Sequence, residues 1–189
     1  MKLRHIPNMI TFLRIALLIP FMYCLHHNRY DVAFYIFFFA GLSDGLDGYL
    51  ARRYNWQSQL GGMLDPISDK LFVSCSYLSL GWLGQLPWWL VFLVLARDVI
   101  IVAGVAVYQM LIGPVAFHST MLSKTNTVLQ GFIVFGTLFQ MAFTTLPIWL
   151  FWGLIYLTSA TTAISCLHYI YLGSSMAYKS RFNTSKANK

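Results

Sequence analysis

The chain has 189 residues, of which 58% are hydrophobic and only 10% charged, and its formal net charge is +7. Soluble domains run near a quarter charged, so an ordinary water-soluble domain is excluded. The expected fold class is all-α, a polytopic membrane protein in a single domain over residues 1–173, followed by a basic polar tail over 174–189.

A membrane-crossing helix needs about 20 apolar residues. Apolar runs of that size predict spans at roughly 8–27, 31–51, 62–84, 88–112, 125–144 and 147–172. The joints between them are short, too short for a soluble domain. Pro87 and Pro147 stand where a following helix would begin. The first apolar run carries Arg14 and leads into no small-residue cleavage site, so it is expected to be a retained span. Cys24, Cys75 and Cys166 have no metal or disulfide spacing and are expected to be small packing residues. The tail KSRFNTSKANK is expected to be loose.

Orientation follows from the basic residues. If six helices alternate, Lys2, Arg4, Arg52, Arg53, Lys124, Lys179, Arg181, Lys186 and Lys189 fall on one side, and Arg29 falls on the other. Positive residues mark the cytoplasmic side, which predicts cytoplasmic termini and a cytoplasm-facing site. The positive balance then serves anionic lipid headgroups and nucleotides; no nucleic acid is needed to explain it.

In the first run, IPNMITFLRIA spaces Asn8, Thr11 and Arg14 three residues apart, on one helical face. That face either turns toward the functional site or is a polar stripe with Arg14 snorkelling to the headgroups.

The densest chemistry lies in SDGLDGYLARRYNWQSQLGGMLDPISDK, residues 43–70. Four of the six acidic residues, Asp44, Asp47, Asp65 and Asp69, fall here, between runs apolar enough to enter a bilayer. One carboxylate at the membrane centre costs about 2.5–3.5 kcal/mol on insertion scales. Four need compensation, and divalent cations would supply it. Asp44 and Asp47 are i, i+3 on one helix, and Asp65 and Asp69 are i, i+4 on the next. Antiparallel packing of the two helices would bring all four together. Oxygen-only ligation suits Mg²⁺ or Mn²⁺; zinc would call for His or Cys. Gly48, Ala51, Gly61 and Gly62 let a ligand or a second helix approach the backbone. Arg52 can grip a phosphate with its planar fork. Two cations among the carboxylates would neutralise charge on a diphosphate under attack. One carboxylate must then take the proton of an attacking hydroxyl. Asp69, last in the series and one turn beyond Asp65, is the candidate.

Farther on, Arg97 and Asp98 lie in LVLARDVIIVAG, near the middle of the fourth span, where an ion pair marks a functional site by default. Either Asp98 neutralises Arg97 in a pair that locks packing, or Arg97 binds substrate phosphate. Lys124, in LSKTNT, starts the fifth span. The isolated or loop histidines His26, His27, His118 and His168 are assigned no chemistry.

The spacing D-x2-D-G-x2-A-R-x8-G-x3-D-x3-D resembles the signature of the CDP-alcohol phosphatidyltransferases. Asp44, Asp47, Gly48, Ala51, Arg52, Gly61, Asp65 and Asp69 match it at every fixed position. The IPN-x2-T-x2-R opening extends the resemblance, which covers the chain from Ile6 to about Gly173. It implies six spans, a homodimer, and transfer of the phosphatidyl group of CDP-diacylglycerol to an alcohol with release of CMP. It implies Asp44, Asp47 and Asp65 as principal metal ligands, with Asp69 as base and shared ligand. Gly48, Ala51, Arg52 and Gly61 would lie near the CDP group, with Asn8 and Thr11 on the same donor side. Arg97 and Lys124 would bind a substrate phosphate, for Arg97 that of the acceptor or of the donor. The acceptor is phosphatidylglycerol or glycerol-3-phosphate. Members using glycerol-3-phosphate typically carry two further cations, where this chain has Val105 and Asn126. The runs RDV and SKTNT look more like the cardiolipin-forming branch. The resemblance also implies a bacterial inner-membrane location. The competing classes are a divalent-cation channel or transporter and an inactive scaffold.

Overall fold

The computed structural model describes the backbone of residues 6–54, 59–112 and 121–187, and side chains within 13–43, 70–104 and 121–169, Leu122 and Lys124 excepted. Six helices run through the described residues: α1 (Ile6–His26), α2 (Tyr30–Tyr54), α3 (Gln59–Trp82), α4 (Trp88–Ile112), α5 (Met121–Ala142) and α6 (Ile148–Ala187). No strand occurs among the described residues. The expected spans fall on these helices in order.

The helix ends follow local chemistry. At the end of α1, Asn28 takes φ 57°, a left-handed conformation that asparagine tolerates. Its N–H donates to Leu25 O at 3.3 Å, and the Arg29 N–H donates to Cys24 O at 2.8 Å. That pair of bonds is a Schellman cap, closing carbonyls the helix would leave open. α3 ends the same way. Gly84 sits at φ 71°, its N–H donating to Gly81 O at 3.0 Å, and the Gln85 N–H donates to Leu80 O at 2.9 Å. Pro87 then cannot continue a helix and opens the next. At α6, the Pro147 carbonyl accepts from Leu150 N–H at 2.9 Å and Phe151 N–H at 3.1 Å, as a residue just ahead of a helix should.

Two differences from expectation have simple causes. α5 begins at Met121, which brings Ser123 into the helix. α6 continues to Ala187 through the segment expected to be loose. Past Gly173 that segment has neither proline nor glycine to break a helix, and alanine, lysine and arginine favour one.

The chain divides into two compact units, Met1–Pro87 with Gly131–Phe151, and Trp88–Gln130 with Trp152–Lys189. In the first, α1 packs on α2 and on α3. Phe21, Phe37 and Phe72, one from each of these helices, form a ring cluster with centroids 5.3–6.2 Å apart. Phe34 of α2 meets Phe135, Phe139 and Phe143 at 4.9, 5.9 and 5.1 Å. Such ring pairs contribute about 0.5–1.5 kcal/mol each beyond the burial of their surface. The second unit buries Leu90, Val91, Val94 and Ile155 alongside polar side chains: Arg97, Asn126, Gln130, Thr158, Thr162 and Ser165.

Large apolar side chains also cover the outside, with Ile148 and Trp149 each 74% exposed. Within α6, Ile148–Tyr169 is long and apolar enough to cross a membrane, and only 22% of its most apolar stretch is buried. A soluble core helix of that composition would be mostly buried. It is the one such helix among the described residues; Leu13–His26 and Tyr30–Ser43 are shorter apolar stretches.

Candidate active site

α2 carries Asp44, Asp47, Gly48, Ala51 and Arg52, and α3 carries Gly61, Asp65 and Asp69. Both helices are unbroken across these positions. The i, i+3 and i, i+4 spacings are therefore helical spacings, one turn apart in each pair. The side chains of these residues, and of Asn8 and Thr11 in α1 and Lys124 in α5, lie outside the described residues. The donor set itself is informative. Between Asp44 and Lys70 there is no histidine and no cysteine, only carboxylates. Such a set fits a hard divalent cation and not a thiophilic one.

The polar cluster whose geometry is described lies wholly within the second unit. Arg97 of α4 is 2% exposed. Its Nη1 pairs with Asp98 Oδ1 at 2.6 Å. Its Nη2 donates to Ser123 Oγ of α5 at 2.7 Å and to Ser165 Oγ of α6 at 3.3 Å. One guanidinium thus ties three helices. Its Nε is buried with no hydrogen-bond partner among the described residues.

One turn along α5, Asn126 is fully buried. Its Oδ1 accepts from Thr161 Oγ1 at 3.0 Å and Thr162 Oγ1 at 2.8 Å, both on α6. Its Nδ2 is buried and has no partner among the described residues. As residue numbers rise on α5 from Ser123 to Asn126, those on α6 fall from Ser165 to Thr161 and Thr162. The two helices therefore run antiparallel in one register.

The alternatives left open in the sequence resolve unevenly. Asp98 does pair with Arg97. Arg14 is 5% exposed, so it does not snorkel to a surface. The clustering of Ser123, Asn126, Thr161, Thr162 and Ser165 is not evident from the sequence. Their signal was present: polar residues three or four apart in otherwise apolar helices. The partners, however, are 26 to 68 residues distant from one another in sequence.

Residues 4–165 match the family model described as CDP-alcohol phosphatidyltransferase. The chain belongs to that family. Over 183 residues it is 32% identical to the "Cardiolipin synthase (CMP-forming)" of Homo sapiens, covering 87% of this chain and 61% of that protein. A "Putative cardiolipin synthase" of Mycobacterium tuberculosis is 39% identical over 99 residues, 51% of this chain and 46% of the relative. A "Probable phosphatidylglycerophosphate synthase" of the same organism is 31% identical over 140 residues, 70% of this chain and 67% of the relative. The chain therefore spans less than two thirds of the length of the first two of these relatives. The family match contains all eight signature positions from Asp44 to Asp69, together with Arg97 and Lys124.

Proposed function

We propose that this chain is a membrane-embedded phosphatidyltransferase that moves the phosphatidyl group of CDP-diacylglycerol to phosphatidylglycerol, releasing CMP and forming cardiolipin. The observation that carries the reading is the complete set of four aspartates, at family spacing, on two unbroken helices inside the family match. A cation pathway would have little use for Arg52 beside the carboxylates, and an inactive scaffold would have no use for all four.

Asp44, Asp47, Asp65 and Asp69 would hold Mg²⁺ or Mn²⁺, two ions in the fullest form of the proposal. Bound there, the metal supplies charge neutralisation at the diphosphate of the donor. The chain's own residues do the rest. Arg52 binds a donor phosphate oxygen through its fork, and Gly48, Ala51 and Gly61 leave room for the CDP group. Asn8 and Thr11 offer it polar contacts. Asp69 accepts the proton of the attacking acceptor hydroxyl as the new phosphodiester bond forms and the bond to CMP breaks. Arg97 and Lys124 draw the acceptor's phosphate. The proposal includes a homodimer in a bacterial inner membrane with both termini cytoplasmic.

For the acceptor, Asn126 is the relevant residue. It is neutral, fully buried and held by two threonines. A phosphomonoester such as glycerol-3-phosphate carries nearly two negative charges and favours several cations. A phosphodiester lipid carries one and needs fewer. The relatives bearing cardiolipin synthase names support the same choice. The relative named for phosphatidylglycerophosphate supports glycerol-3-phosphate as the second reading. Labelled CDP-diacylglycerol given to the purified chain with each acceptor separates them. Labelled cardiolipin supports the first, labelled phosphatidylglycerophosphate replaces it with the second, and no lipid product from either removes both.

A further inference from the structure

We infer that Ser123, with Ser165 and Asp98 in support, is a positioning residue that turns the Arg97 guanidinium so that its Nε–H edge faces the acceptor's phosphodiester oxygen. This rests on the transferase reading above. Arginine has a planar fork with five N–H groups in fixed directions. Here Nη1 is bonded to Asp98 and Nη2 to both serines, at 2.6, 2.7 and 3.3 Å. These bonds come from three helices, so the plane of the guanidinium cannot rotate without breaking at least one of them. Nε is the nitrogen they leave open, and it is buried.

A buried, charged donor without an acceptor is unfavourable, more so in surroundings of low dielectric. Three of the other four N–H groups are bonded, and Nε is the one nitrogen of the fork with no partner among the described residues. An incoming anionic oxygen would complete it. The Asp98 carboxylate offsets the charge of Arg97, which suits a singly charged diester better than a monoester. The serines contribute no charge. Their effect is to select direction, and Ser123, at 2.7 Å, holds more firmly than Ser165, at 3.3 Å.

The test is steady-state kinetics on the full chain in mixed micelles, with CDP-diacylglycerol saturating and phosphatidylglycerol varied, or glycerol-3-phosphate if wild type turns over only that. Ser123→Ala is expected to raise the acceptor KM about tenfold, the size of one hydrogen bond to a charged group. Its kcat and donor KM should stay within about twofold of wild type. Ser165→Ala should raise the acceptor KM less, and Ser123→Thr, which keeps the hydroxyl, should restore it. An unchanged acceptor KM in Ser123→Ala would overturn the inference and leave the transferase reading intact, as would an ordered water that satisfies Nε in place of the acceptor. Acceptor and donor KM rising together, with a lowered unfolding temperature and no rescue by threonine, would make Ser123 a packing residue and overturn it too. Absence of CMP release from wild type with either acceptor would remove the transferase reading, and this inference with it.

Discussion

Thr162 of α6 donates to Asn126 Oδ1 of α5 at 2.8 Å, both residues completely buried. A hydrogen bond between two buried polar groups helps to fix register, because sliding either helix by one residue breaks it and leaves the buried Asn126 carbonyl oxygen without that donor. Asn126→Ala should therefore destabilise the protein, but modestly. Thr161 already has the Thr158 carbonyl at 3.0 Å as a second acceptor, and interhelical bonds in membranes average well under 2 kcal/mol. A loss of about 1 kcal/mol is expected, read as a lower midpoint of unfolding in detergent.

Arg97 and Asp98 should behave as a pair. Removing one partner of a buried ion pair is destabilising, by up to about 3–5 kcal/mol where nothing else compensates the remaining charge. Arg97→Ala should cost stability, within that limit, as well as activity. The double substitution Arg97→Met with Asp98→Leu should recover most of the stability and none of the activity. A stable, active Arg97→Ala protein would show that the pair matters neither to packing nor to substrate. Thermal unfolding measured beside CMP release separates the cases.

Chelation tests the donor set. With only carboxylates between Asp44 and Lys70, EDTA should abolish CMP release, and added Mg²⁺ or Mn²⁺ should restore it. Zn²⁺ should restore little, since it prefers nitrogen and sulfur ligands. Restoration by Zn²⁺ alone would place the ligands elsewhere.

How much of this was readable beforehand differs from element to element. Helix boundaries were largely legible because they depend on local chemistry: Pro87 and Pro147 mark starts, and apolar runs mark lengths. The helical tail of α6 is not legible in this way: its polarity suggests looseness, but no helix breaker stands there and the helix runs on to Ala187. The Arg97 cluster was half legible. A charged pair inside an apolar run announces itself, and Asp98 was adjacent. Ser123 and Ser165 were hidden for a physical reason. Serines and threonines in apolar helices commonly bond to their own carbonyl four residues back, as Ser76 and Thr137 do here. Nothing local distinguishes these from a serine that reaches across to another helix. The aspartate signature was legible as a pattern at fixed spacing on two helices; its side-chain geometry lies outside the described residues.

The most direct measurement concerns Asp69. Asp69→Asn removes the proton acceptor while keeping size and polarity. CMP release should fall by about 10²–10⁴-fold, the usual worth of a positioned base, while labelled CDP-diacylglycerol still binds within a few-fold of wild type. Turnover retained at the wild-type rate would contradict the account.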